Sequence, residues 1–347
     1  MTWVPLLLSD PSPSLRLLVL RELLGRDEND DEVMELIKLQ KKDPIITRLL
    51  KLQNKDGSWR GGEDISGQLG AIRLTSQALM RLGYMNLPST HPAIKKGAEF
   101  VFSQQQDDGS WPLGVEEFLK DDKKREDIKY HIAPLQTSLP LLGLAWAGYA
   151  TDPRSEKAYD WLEGKALPEG GWPSGMHNDR IIGPAEYRRL AHTQLGCRTN
   201  TTAAVSAMAL HPERRTGDVA KRGLDLLLVH EHRQAYNVGF EVARIIGFEK
   251  ARGRGTYYKR YDTGQILDLS WRIGANPDDE RVAENVKFIK QLQGDYGLWE
   301  YSHDPEASRW ISFDLLRSLS RIDTQTDWIS YKLRTGFQVY PKKPKRF

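Results

Sequence analysis

Residues 51–59 read KLQNKDGSW, and residues 103–111 read SQQQDDGSW. Each stretch sets a Gln six positions before a Trp, with an Asp-Gly turn just ahead of the Trp. A third copy, QLQGDYGLW, occupies 291–299, and a reduced one, ALPEGGW at 166–172, has Ala166 in place of the Gln. Gln53, Gln105 and Gln293 would end a helix with a side-chain amide able to bond nearby backbone. Gly supplies the tight turn, and Trp is a large rigid wedge between neighbouring helical hairpins. The motif therefore reads as a structural staple rather than a ligand contact.

The motif tryptophans Trp59, Trp111, Trp172 and Trp299 are separated by 52, 61 and 127 residues. The last gap is about twice the others, so one copy has lost its Trp, near residue 235. Self-similarity at such a period signals a repeat architecture. Each unit holds two helical patterns. A mostly apolar one follows the Trp, as in LTSQALMRLGY (74–84), LQTSLPLLGLAWAGY (135–149), NTTAAVSAMAL (200–210), YDTGQILDLSWRIG (261–274) and SRWISFDLLRSLSRI (308–322). Thr, Asn, Asp or Ser near their starts is typical of helix N-caps. Loops with His-Pro, Asp-Pro or Asn-Pro come next, at 91, 152, 211 and 276, and a charged amphipathic helix then leads to the next Gln. The apolar helices suit an inner ring and the charged ones a solvated outer ring. With SPSLRLLVLRELLG (12–25) as a further inner helix and PIITRLLKLQ (44–53) as an outer one, the count is about six inner and five or six outer helices. The expected fold is all-α, an (α/α)6 barrel over residues 1–325, followed by a basic tail, 326–347.

The repeats resemble the Gln-Trp repeats of triterpene cyclases such as squalene–hopene cyclase, and the β subunit of protein prenyltransferases. The resemblance runs from about residue 12 to 322. It implies an α-α toroid and an isoprenoid or other apolar small molecule as partner, acted on or bound in a central cavity. The catalytic motifs of those families are missing. The Asp-x-Asp-Asp acid has only Glu28-Asn29-Asp30-Asp31 as a counterpart, in a charged inter-helix stretch. Arg198-Thr199-Asn200 is similar to the prenyltransferase Arg-Thr-Asn string, but Ala204 and Ser206 stand where that family has its zinc-binding Asp and Cys. No cofactor is therefore expected, with Mg²⁺ and Zn²⁺ left open.

Candidate site residues come from the inner helices and the loops before them. Asp262 begins an inner helix, where it is either an N-cap or a general acid or base. Asp268, about 9 Å further along that helix, would be an acid of raised pKa if it faced the lumen. Arg188, Arg198 and Asn200, in or beside the long 172–200 segment, and Tyr257, Tyr258 and Arg260, in the basic loop 249–262, are candidates for an anionic head group. Trp310 would give the lumen an aromatic surface. His192 and Cys197, with His230 and His232 on the next outer helix, are weak metal candidates, because their spacing matches no zinc motif. Two other functions fit the fold: a non-catalytic lipid binder, or a carbohydrate-active enzyme with Asp262 and Asp314 as its carboxylate pair.

Composition narrows the setting. Hydrophobic residues make up 39% and charged residues 28% of 347, the balance of a globular chain. A net charge of +3 from 50 basic and 47 acidic residues argues against nucleic acid as partner. A single cysteine precludes an intrachain disulfide and fits the cytoplasm. The tail YPKKPKRF offers a small basic contact for a membrane surface.

Overall fold

The computed structural model describes residues 2–62, 70–111, 133–177, 180–229, 235–249 and 262–322. Among the described residues, six outer–inner helix pairs follow one another along the chain. The pairs are α1 (Trp3–Leu8) with α2 (Pro13–Leu18), then α4 (Pro44–Leu50) with α5 (Ala71–Tyr84). Next come α6 (Pro92–Ser103) with α7 (Pro134–Leu144), and α8 (Pro153–Gly164) with α9 (Arg198–Met208). The last two are α10 (Asp218–Leu228) with α12 (Thr263–Ile273), and α13 (Glu280–Gln291) with α14 (Ser308–Ile322). Two further helices interrupt the alternation, α3 (Asp31–Gln40) beside α2 and the short α11 (Phe240–Ile246). Wide π-type turns extend α2 over Val19–Leu23 and α7 over Ala145–Tyr149. Inner helices pack on one another in the series α5–α7–α9 and α12–α14, and Gln265 Nε2 donates to Ser206 Oγ at 3.2 Å between α9 and α12. The α-α toroid expected from the repeats is thus observed.

The outer helices start where the X-Pro loops predict. His91, Asp152 and Asp43 accept the N–H two residues on, with Pro at the first helical position, where a missing N–H costs nothing. Two inner helices are capped as expected, α2 by Ser12 and α12 by Asp262. In four others the hydroxyl near the start has another role. Thr75, Thr137, Thr201 and Ser312 instead accept the backbone N–H of Trp59, Trp111, Trp172 and Trp299, at 2.8–3.3 Å. The turn's N–H would otherwise be buried without a partner, so the hydroxyl is worth more there than at the helix end.

Every staple has the same geometry. Each motif indole donates to a carbonyl ten residues back, on Leu49, Val101, Leu162 and Ile289, at 2.7–2.9 Å. All four rings are buried. Gln53 and Gln105 each donate twice, to their own turn and to a carbonyl in the first turn of the next outer helix (Ala93, Arg154). Gly57 has φ +93°, and a Cβ there would lie 2.3 Å from the Lys96 carbonyl oxygen. The equivalent Gly109 and Gly170 press on Lys157 and Arg222 of the following outer helices. In the last repeat the partner of Gly297 is Trp3 of α1. The first helix therefore receives the last turn as every outer helix receives the turn before it, and the ring closes. Arg321 of α14 pairs with Glu22 at 3.1 Å across the same seam. The apolar patch at the N-terminus, which carries no helical signal by periodicity, is the sixth outer helix.

Two departures were not legible. A small antiparallel hairpin joins β1 (Gly175–His177) and β2 (Arg180–Ile182), too short to show alternation. The repeat without a motif Trp, between α10 and α12, holds α11 instead of a Gln-Trp turn. The α11 helix packs against α5 and α14, helices far from it in sequence.

Candidate functional site in the toroid lumen

The lumen is lined by rows of side chains spaced four apart on successive inner helices. Met80 and Tyr84 project from α5, Leu142 and Trp146 from α7, and Ser206 and Leu210 from the end of α9. Two close approaches bring these helices together: a Cβ on Gly83 would meet the Trp146 carbonyl, and one on Gly143 would meet that of Ser76. The opposite wall is ionic. Asp268 and Arg272 come from α12, Asp314 and Arg317 from α14, and Glu241 and Arg244 from α11. From α11, Val242 and Ile245 also line the space between the walls. Among the described residues this cavity is about 50 Å³, room for a few waters or a small organic molecule.

Three salt bridges make up the ionic wall, each between residues three or four apart on one helix. Arg244 contacts Glu241 at 2.6 Å, and Arg272 contacts Asp268 at 2.8 Å. Arg317 is hydrogen-bonded tightly to Asp314 and also lies 3.5 Å from Asp268. The Tyr84 hydroxyl donates to Asp314 at 3.1 Å. Burial pushes the Asp314 carboxyl up to about 6, against the pull of Arg317 and with the help of the nearby Asp268 charge. Asp268 goes the other way. Burial alone would raise it, but Arg272, Arg317 and the Trp271 indole N–H outweigh that and hold it below the ordinary carboxylate value. The sequence-based expectation of a raised Asp268 is therefore corrected: its two guanidinium neighbours, not its burial, decide its state. The carboxyl that carries a proton more readily is Asp314.

Asp262 does not line this cavity. It is the N-cap of α12, accepting from Gly264 at 2.9 Å and Gln265 at 3.4 Å. It also accepts from Gly239 and Glu241 at 2.9 Å, and so ties the start of α11 to the start of α12. Burial raises its carboxyl to about 7, while the four N–H groups pull it down. The carboxylates that meet in the lumen are Asp268 and Asp314, with the Arg317 guanidinium between them. Asp314 lines the cavity and Asp262 does not, so the carboxylate pair expected of a carbohydrate-active enzyme does not meet there.

The remaining candidates lie elsewhere. Asn200 accepts the Leu135 N–H at 2.7 Å, which anchors the start of α7. Arg188, in a short 3-10 turn, and Arg198, the first residue of α9, are half-buried and do not line the cavity. Trp310 is buried behind Tyr84, with ring centroids 6.2 Å apart. Cys197 is buried, whereas His192 is exposed with φ +59°, so the two do not form a pair. No group of three His, Cys, Asp or Glu among the described residues could hold a metal ion. Tyr257, Tyr258 and Arg260, the loop around them, His230, His232 and the basic tail lie outside the described residues. No helix among the described residues is long and apolar enough to cross a membrane.

Inspection of the sequence missed Arg317, Arg272, Tyr84 and the Glu241–Arg244 pair. A signal was present: acid–base pairs at helical spacing inside segments otherwise apolar enough for an inner ring. The aromatic surface also differs from expectation. Arg272 lies over the Trp146 ring at 5.1 Å and over Trp271 at 4.5 Å, Arg321 covers Trp271 at 4.3 Å, and Arg317 lies 5.7 Å from the Tyr84 centroid. The chain's own cations occupy these rings, which a carbocation would otherwise use.

Residues 32–187 match the squalene–hopene cyclase C-terminal domain. A squalene–hopene cyclase from Zymomonas mobilis is 31% identical over 123 residues, which are 35% of this chain and 18% of that protein. This chain thus spans less than a fifth of its curated relative. Among solved structures, a protein from Actinoplanes aligns with TM-score 0.44 and 17% identity, over 90% of this chain and 91% of that one. The type II terpene cyclase MstE from Scytonema aligns with TM-score 0.33 and 13% identity, over 79% and 95%. The segment similar to the squalene–hopene cyclase C-terminal domain covers the first regular repeats of the toroid. The ionic wall, residues 241–317, lies beyond the matched segment.

Proposed function

We propose that this protein binds a short isoprenoid-class molecule in the toroid lumen and does not cyclise a long one. The observation that carries this reading is the two-sided cavity. Met80, Leu142, Trp146, Leu210, Val242 and Ile245 form an apolar wall, and three salt bridges face it. Such a cavity suits an apolar stem with a polar head. The relationship to squalene–hopene cyclase supports the isoprenoid class. Against cyclisation stand the small cavity that the described residues enclose and the arginines stacked on the rings. The raised pKa of Asp314 points the same way, because alkene protonation asks for a strong acid and burial has made this one weak.

In this reading Tyr84 and Arg317 fix the Asp314 carboxyl, and Asp314 holds or releases a proton at the polar end of the ligand. The α11 helix sets the depth of the apolar end. The test is native mass spectrometry of gently purified protein, with tryptophan fluorescence titrations of prenol and geraniol. A co-purifying isoprenoid, or saturable quenching by either alcohol, is expected. Turnover of squalene to cyclic products would overturn the reading, as would protein that neither retains nor binds any isoprenoid.

A further inference from the structure

On two residues that line the cavity, the Nε of Arg317 and the Oε1 of Gln265 are buried without a hydrogen-bond partner among the described residues. One is a donor that needs an acceptor, and the other an acceptor that needs a donor. Arg317 is 3% exposed at its side chain, so leaving Nε unmet costs the desolvation of a charged group's N–H. The Gln265 amide is held in place by its nitrogen, which donates to Ser206 Oγ at 3.2 Å.

The charges on the same wall say what kind of group can answer both atoms. Among the described lining residues there are three acids, Glu241, Asp268 and Asp314, and three bases, Arg244, Arg272 and Arg317. Each base pairs with an acid on its own helix, and Arg317 also lies 3.5 Å from Asp268 and 3.6 Å from Glu22. A diphosphate would bring several negative charges to a wall whose cations are already matched by carboxylates. Those charges would be buried beside three anions, which attraction to the already paired guanidinium groups would not offset. A hydrocarbon would leave both orphan atoms unmet. A hydroxyl accepts and donates through one oxygen and carries no charge.

We infer that the lumen recognises the hydroxyl of a short isoprenoid alcohol, and not a diphosphate, through Arg317 Nε and Gln265 Oε1. This rests on the isoprenoid reading above. It replaces the anionic head group that the basic loops suggested with a neutral one. The apolar stem then lies against Leu142, Trp146 and Ile245.

The test compares three probes that share one five-carbon skeleton: prenol, prenyl diphosphate and isoprene. Each is titrated into nitrogen-labelled full-length protein, with the indole N–H resonances as readout. Prenol is expected to bind at least tenfold more tightly than either of the others. Gln265→Leu should weaken prenol about tenfold and leave isoprene unchanged, and Gln265→Glu should restore most of the prenol affinity. The inference is overturned if prenyl diphosphate or isoprene binds as tightly as prenol, or if Gln265→Leu weakens all three alike. If none of the three binds, the cavity holds only water and the isoprenoid reading itself fails.

Discussion

At the scale of single residues, the lumen shows how neighbours decide the state of a buried carboxyl. Asp268 and Asp314 are both buried and both contact Arg317, but they shift in opposite directions. Asp268 has a second guanidinium and an indole N–H, whereas Asp314 has one guanidinium and sits beside the Asp268 charge. The consequence for stability has a definite sign. The folded state holds a proton on Asp314 up to about pH 6, while the unfolded chain releases it near the ordinary carboxylate value of 3.8. The folded state therefore binds more protons in that window, and this group's contribution to stability falls as pH rises from about 4 to 6. Asp314→Asn should remove that decline and lower stability at neutral pH by leaving Arg317 with less countercharge. Denaturant titrations at intervals from pH 4 to 7 check it; an unchanged slope in the variant would remove Asp314 as the titrating group.

Elements behave as interchangeable units until one of them is replaced. Four outer–inner junctions use the same Trp, the same hydroxyl and the same carbonyl ten residues back, so they were readable from Trp59, Trp111, Trp172 and Trp299 alone. The junction between α10 and α12 is different, and only its lack of a Trp could be read. What took its place was hidden, because seven residues, FEVARII, carry no periodicity long enough to separate a lumen helix from any other buried segment. The site suffered for the same reason. Asp268 and Asp314 stood out as acids in apolar helices, but their grouping depends on which inner helices face each other across the ring. Asp262, read as either a cap or a catalyst, turned out to cap two helices. Asp262→Ala should cost ~2 kcal/mol or more, since it strips four N–H groups of their acceptor. Amides 239–246 should exchange at least tenfold faster, with α5 and α7 unaffected. Hydrogen exchange by mass spectrometry reads this directly, and equal protection of α11 in both proteins would mean that packing alone holds the helix.

For the whole molecule, closure matters more than any one repeat. Thr2 donates to the Tyr296 carbonyl at 3.0 Å, Arg309 reaches Asp10 at 3.4 Å, and Arg321 reaches Glu22 at 3.1 Å. Trp3 and Leu7 are buried in the same core as Trp299. An open solenoid tolerates loss of a terminal repeat because each unit touches only its neighbours, whereas here the first unit is also the neighbour of the last. Removing residues 1–24 should therefore abolish cooperative thermal unfolding seen by circular dichroism, and a peptide of residues 1–24 added in trans should restore it. A truncated protein that melts as sharply as the full chain would show that the seam contributes little.

That seam also sets a schedule for synthesis. Glu22 leaves the ribosome 299 residues before Arg321, an interval of roughly 15–60 s at ordinary rates of translation. Throughout it, the apolar faces of α1 and α2 have no final partner to cover them. The nascent toroid is an open arc with two sticky ends, and the two ends of neighbouring chains on one message are as complementary as the two ends of a single chain. Ring closure within a chain thus competes with joining between chains, and the outcome depends on how closely ribosomes are spaced along the message.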